Sequence, residues 1–402
     1  MKISRRNFLK STAYAAVAAS TTSLFGCAED TVVTSDEPVA TAAATTAPTA
    51  TPEPTPEPTP EPPYYADMLT GFERDPDAQT YRLTGVMINN IAGSSYQNAR
   101  PQRGLSSASI IIEIKVEGGI TRFCALFNDL ANMPEIGPIR SGRDQFLQMV
   151  MPYQSVYYHD GESYYCTLYV YTWEYSMYNF GGKTYVFDVP THSIVAHRDS
   201  RGGNVAYEHT EFTSGEEVQQ AIDKTDLVME HEYENTFFQF ADYRTDEFVA
   251  LEDGEEGKAI TIHHSDSYRS YFDYDEASGK YLMGQYSSAI GGTHITVDEL
   301  TGAQLSFTNL FTLFTTIEAY PGDSGDVQYV DYTYGGTGYY FTNGKAKYVY
   351  WLKGSPSSPL CIVDPEDSTD ITINMGNSYI AIIGHDQYDN FKYDGGQTIA
   401  AQ

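Results

Sequence analysis

Between residues 51 and 63 proline recurs at every second position in Thr-Pro-Glu-Pro repeats, and this run fixes where a fold can begin. Each proline lacks the amide hydrogen that a helix or sheet requires and holds φ at about −65°, so the run is confined to extended polyproline II. At about 3.1 Å per residue it reaches roughly 40 Å. Residues 28–50, mostly Ala, Thr and acid, offer too little apolar surface to order themselves. The hydrophobic core must therefore come from residues after 63.

In front of this spacer, Ser4-Arg5-Arg6-Asn7-Phe8-Leu9-Lys10 resembles the twin-arginine export signature, and Leu24-Phe25-Gly26-Cys27 resembles a bacterial lipobox. The mildly apolar residues 11–23 are too few and too polar to span a bilayer. The expected organisation is a signal peptide over 1–26, a lipid anchor and disordered stalk over 27–63, an α/β domain over 64–230 and a β-rich domain over 231–402. Cys27 is the expected lipidation site, with the lipid bilayer as partner at the extracytoplasmic face of the bacterial cell membrane.

The chain carries 24 Lys and Arg against 54 Asp and Glu, a formal charge of −30. Removing residues 1–26 takes away four bases and no acid, which makes it −34. Such a chain repels nucleic acid, so no nucleic-acid partner is expected, and the ordinary use of the excess charge is solubility. Cys124, Cys166 and Cys361 remain without a Cys-x-x-Cys spacing, which disfavours structural zinc. A cargo folded before export folds among reduced thiols, so buried cysteines acting as small apolar residues are expected, with one late disulfide left open. The histidines show no His-Glu-x-x-His spacing, and Walker, Gly-x-Gly-x-x-Gly and EF-hand patterns are missing from the sequence, so no metal and no cofactor is expected.

Residues 81–90 read as a strand ending in Asn89-Asn90. Residues 109–117 and 120–128 flank Gly118-Gly119 and read as a hairpin with a two-residue turn. In that register Lys115 opposes Arg122 and Glu113 opposes Cys124. Glu113, Lys115 and Glu117 then share one face, with Arg122 diagonally between the two glutamates. After Pro138, the apolar stripe Phe146, Leu147 and Val150 predicts a helix from near Ser141. Arg140 and Arg143 fall in its first turn, where the helix dipole disfavours cations and a carboxylate or an anionic ligand is needed.

A short strand over 155–159 ends at His159, followed by Ser163. Ser214 with Glu217 forms a capping box opening a second helix. Beyond residue 230, alternating aromatic and polar residues predict strands at 259–264, 268–274, 281–286, 337–341, 345–353, 358–363 and 378–383. The fold class is α+β, with a mixed sheet in an α/β N-terminal domain followed by a mainly antiparallel β C-terminal domain.

Val86-Met87-Ile88-Asn89-Asn90, Ala99-Arg100-Pro101-Gln102-Arg103-Gly104-Leu105, Val116-Glu117-Gly118-Gly119-Ile120-Thr121-Arg122-Phe123 and Ile136-Gly137-Pro138-Ile139-Arg140-Ser141-Gly142-Arg143 together resemble the YerB-like lipoproteins, a bacterial family of unknown function. Residues 159–163, Arg198-Asp199-Ser200-Arg201, His209 and Phe212-Thr213-Ser214 also fit. Gly291-Gly292-Thr293-His294 and Trp351-Leu352-Lys353 match the second domain, which Thr296 and Met283 break. The resemblance implies an anchored two-domain envelope protein and supplies no reaction.

Glu113, Glu117, Arg122, Arg140, Arg143 and His159 are expected to converge at one edge of a sheet. Glu113, Glu117 and His159 are the candidate acid–base groups for hydrolysing a glycosidic or amide bond. Arg122, Arg140, Arg143, Asn89, Asn90, Ser163, Arg198, Arg201 and His209 are the candidate binding residues. The ordinary alternative is an internal network in which the arginines neutralise the glutamates. The favoured function is non-catalytic binding of a cell-wall polymer or an envelope protein, and the alternative is an envelope-glycan or peptide hydrolase or lyase. The 34 tyrosines could stack on sugar rings, although strand propensity accounts for most of them.

Overall fold

In a computed structural model, residues 64–182, 191–245, 248–287 and 291–394 are described. The leader, Cys27 and the proline-rich stalk lie outside them, as do residues 183–190. No helix among the described residues is long and apolar enough to cross a membrane.

The first half supplies β1 (Thr84–Asn89), β2 (Ile110–Lys115), β3 (Thr121–Phe127), α1 (Asp144–Val150), β4 (Val156–Tyr158), α2 (Tyr164–Thr172), β5 (Asn179–Phe180), β6 (His197–Arg198), β7 (Glu211–Phe212) and α3 (Gly215–Ile222). The second half is built from strands: β8 (Glu255–Glu256), β9 (Ala259–His263), β10 (Arg269–Asp275), β11 (Lys280–Ser287), β12 (Gly292–Ile295), β13 (Ser306–Phe307), β14 (Asn309–Thr315), β15 (Ile317–Ala319), β16 (Gln328–Val330), β17 (Gly336–Thr342), β18 (Lys345–Leu352), β19 (Cys361–Val363), β20 (Ser378–Gly384) and β21 (Lys392–Asp394).

A mixed eleven-stranded sheet runs β19-β18-β17-β14-β20-β2-β3-β1-β4-β5, with β8 on β18. β20 lies between β14 and β2, parallel to both, so the two halves of the chain share this sheet. Its sequence, Ser-Tyr-Ile-Ala-Ile-Ile-Gly, is buried along its whole length, as a strand covered on both faces must be. An antiparallel six-stranded sheet, β12-β11-β10-β9-β21 with β13 on β11, packs against one face through Ile260, Phe272 and Met283, which meet Phe123, Tyr379 and Ala381. On the other face α1 and α2 bury Phe146, Leu147 and Val170 against Ile112, Ile114 and Ile382. These three layers give each face of the long sheet its own core.

The β2–β3 hairpin departs from the expected register. Glu113 pairs with Phe123, Ile114 with Arg122 and Lys115 with Thr121. The turn is Glu117-Gly118-Gly119, closed by the Val116 amide donating to the Ile120 carbonyl at 2.8 Å, with both glycines at positive φ. One extra turn residue sends every β3 side chain to the opposite face, because side chains alternate with period two. Phe123 and Ala125 thereby enter the core between the sheets, and Arg122 turns away from Glu113.

Two elements escaped the sequence reading. α2 occupies a tyrosine-rich stretch to which the sequence assigns no element; Ser163 caps it, its hydroxyl accepting from the Cys166 amide at 3.1 Å. β14 reads Asn-Leu-Phe-Thr-Leu-Phe-Thr and lacks alternation because both its faces are buried. α1 begins at Asp144 with Arg143 as its N-cap, so Arg140 precedes the helix. The Ser214 cap on α3 is as expected, its hydroxyl accepting from the Glu217 amide at 3.3 Å. Cys124 and Cys166 are buried and Cys361 half-buried, all as free thiols.

Candidate functional site

The expected cluster divides into three places. In the first, Arg122 projects from β3 toward the start of α1 and donates to the Ser141 carbonyl oxygen. Its guanidinium is 3.9 Å from Glu117, with the side chain 5% exposed. Arg143 donates to the same Glu117 carboxylate at 2.5 and 3.1 Å. Arg140 pairs with Glu208 at 2.9 Å. One carboxylate thus answers two guanidinium groups, and the buried Nε of Arg122 has no hydrogen-bond partner. Burial first, and then the nearby charge of Arg143, lowers the Arg122 pKa well below the usual arginine range.

Asp144 adjoins this cluster. Its carboxylate accepts from Tyr320 at 2.7 Å through Oδ2, while the buried Oδ1 has no partner. Burial pushes its pKa up to about 7 against the lowering effect of the Tyr320 bond and of Arg143. Asp144 therefore carries only part of a negative charge at neutral pH. The place as a whole is short of anions within an acidic protein, and it suits a phosphate or carboxylate ligand.

The second place is on the opposite face. Glu113, 1% exposed, accepts from Thr121 at 2.6 Å and Asn90 at 3.1 Å through Oε1. Through Oε2 it accepts from Ser270 at 2.8 Å and from Tyr379, with His264 Nε2 at 3.3 Å. Asn90 accepts from Arg100 and Gln102, both at 2.9 Å. Burial pushes the Glu113 pKa up, but the charge and hydrogen bond of His264 and the bonds from Thr121 and Tyr379 prevail and hold it at about 2. A carboxylate so saturated with donors is an anchor tying β2, β3, β10 and β20 together, and it has no exposed lone pair for a substrate.

The third place surrounds His159, which is fully buried with Nδ1 and Nε2 each 2.7 Å from the oxygens of Gly161 and Asn179. Burial lowers its pKa despite Glu162 nearby. The expected convergence of Glu113, Glu117 and His159 is therefore corrected: the sheet separates the two glutamates, and His159 is enclosed between its own loop and Asn179 of β5.

The other candidate residues have structural partners. Asn89 Nδ2 and His209 Nδ1 are 2.9 Å apart, and His209 Nε2 meets Gln97 at 2.9 Å. Ser163 is the α2 cap. Arg198 pairs with Glu211 at 2.8 Å and lies over the Tyr207 ring. Arg201 donates to the carbonyls of Ala99 and Pro101 at 3.0 and 2.6 Å. Arg103, among the residues of the family resemblance but not among the candidates, binds Glu135 and Asp199 at 2.7 Å and Glu299 at 2.9 Å. No local signal points to it, since Glu299 is 196 residues away.

Residues 69–228 match the N-terminal domain, and residues 260–380 the C-terminal domain, of a family described as protein of unknown function (DUF3048). YerB of Bacillus subtilis strain 168, described as a lipoprotein, is 41% identical over 96 residues, which is 24% of this chain and 27% of that relative. The match thus spans about a quarter of the relative's own length. The crystal structure of the YerB protein from Bacillus subtilis is similar with a TM-score of 0.64 and 20% identity, covering 82% of this chain and 99% of that one, which is a likeness of fold. With both domains present in the same order, the chain belongs to the DUF3048 family.

Proposed function

We propose that this chain is a lipid-anchored protein on the extracytoplasmic face of the bacterial cell membrane that binds an anionic group of a cell-envelope polymer at Arg122, Arg140 and Arg143. The observation that carries the reading is Arg122, 4% exposed and with its Nε unpartnered, set beside Arg143 against the single carboxylate of Glu117, with Arg140 held nearby by Glu208. A phosphate or carboxylate oxygen would supply the missing acceptor and offset the mutual repulsion of the guanidinium groups. Anchoring is supported by the lipobox-like Leu24-Phe25-Gly26-Cys27, by the spacer behind it and by the description of the Bacillus subtilis relative as a lipoprotein.

The test is co-sedimentation of the purified protein with cell wall, with inorganic phosphate as competitor. Arg140→Gln and Arg122→Met should each weaken wall binding by about tenfold, the effect of losing one charge-assisted hydrogen bond of about 1.5 kcal/mol. Phosphate should displace the wild type. Unchanged binding in both variants, with melting temperatures close to the wild type, would sink the proposal. Cys27→Ser should move the protein out of the membrane fraction.

A further inference from the structure

A cleft of about 1150 Å³ opens beside the first described residues, between Tyr64 and the segments 232–240 and 359–371. It exceeds the roughly 300–1,000 Å³ of ordinary small-molecule sites, so it has room for several linked rings. Its lining combines two chemistries. Tyr64 is 41% exposed and stacks on Tyr243 at 5.2 Å. Tyr153 stacks on Phe237 at 4.9 Å and meets Tyr233 edge-on at 6.3 Å.

The second chemistry is acidic. Glu232, Glu234 and Asp370 line the cleft, and none of them has an ion pair among the described residues. The basic lining residues, Arg74 and Arg244, lie over the rings of Tyr65 and Tyr64 at 5.5 and 5.2 Å, and Arg244 also pairs with Asp242 at 2.5 Å. A third observation points to a ligand. Tyr153 is only 8% exposed and lines the cleft, yet its hydroxyl has no hydrogen-bond partner. Leaving a buried hydroxyl unpaired is costly, and an occupant with its own donor or acceptor removes that cost.

We propose that this cleft binds an oligosaccharide carrying free amino groups. Pyranose rings present flat apolar faces that suit an aromatic lining, their hydroxyls can meet the Tyr153 hydroxyl, and protonated amines answer the carboxylates of Glu232, Glu234 and Asp370. The stalk of this chain is a poor occupant, since Glu53, Glu57 and Glu61 would bring more negative charge into an acidic cleft. The cleft shares no residue with the arginine place, so either site can fail without the other.

Calorimetric titration of the full chain with a glucosamine hexamer and with an N-acetylglucosamine hexamer tests the assignment. The amino oligomer should bind saturably and about tenfold more tightly than the acetylated one. Tyr153→Phe should weaken it about fivefold while leaving the melting temperature unchanged or raised, because the variant removes a hydroxyl that has no partner in the free protein. Glu232→Gln with Glu234→Gln should weaken it at least as much and reduce its salt dependence. No saturable binding, equal affinity for the two oligomers, or affinity unchanged in both variants would overturn the proposal.

Discussion

Glu113 and Arg122 stand back to back across one sheet: on paired strands of a single hairpin, Glu113 sits beside Phe123 and Arg122 beside Ile114. The glutamate is thereby committed to a buried network with His264, and the arginine to the anion-poor place near Glu117. The two charges serve different ends.

Glu113→Gln should cost about 1–3 kcal/mol of unfolding free energy, since it replaces one buried acceptor oxygen by a donor amide among the donors Thr121, Asn90, Ser270 and Tyr379. Tyr379→Phe should cost about 1 kcal/mol. Urea denaturation reads both, and a loss below 1 kcal/mol for Glu113→Gln would remove its role as an anchor. The pH dependence follows from the folded pKa of about 2, against an unfolded value of about 4.3. Because the shift is downward, the contribution of Glu113 is complete above pH ~4.3 and disappears as pH falls through 2. The variant should therefore show a flatter acid limb than the wild type.

Asp144 has the opposite sign. Its folded pKa is pushed up to about 7, whereas the unfolded value is about 3.9. Between these values the folded protein keeps a proton that the unfolded chain has lost, so stability declines as pH rises through the window. Asp144→Asn still offers an acceptor to Tyr320 and cannot ionise. Its melting temperature should exceed that of the wild type at pH 8 and converge with it near pH 4; a lower value at pH 8 would contradict the argument.

Arg103→Leu should destabilise the protein by about 1–3 kcal/mol, because it leaves Glu135, Asp199 and Glu299 facing one another. Those carboxylates are about a third exposed, so salt screens them. The difference from the wild type in urea unfolding should shrink between 0.05 and about 1 M salt. A difference independent of salt would mean that stacking of Arg103 on Phe212 matters more than its charge.

Ser163→Ala removes the α2 cap and should cost about 1 kcal/mol without changing wall binding. Loss of binding at unchanged stability would return Ser163 to the ligand site.

Local rules located a good deal of this molecule. The Ser214 cap, strands β9, β10, β11, β17, β18 and β20 and the β2–β3 hairpin all follow from short-range pattern. α2 did not, because tyrosine favours strands in general and its cap, Ser163, was read as a ligand-binding candidate. β14 did not, because a strand buried on both faces has no alternation to read. The arginine place was named residue by residue, with Arg122 assigned to the wrong neighbour by one turn residue.

The sequence by itself determined that the apolar residues able to build a core lie after the proline run, that cationic and acidic residues are gathered around Gly118-Gly119, and that the second half is built of strands. These are consequences of backbone chemistry and side-chain period within a few residues. Only the tertiary structure decided which face each charge occupies and that β20 enters between β14 and β2. Both depend on burying apolar side chains from segments hundreds of residues apart, and a single added residue in a turn reverses the outcome without leaving any mark in local periodicity.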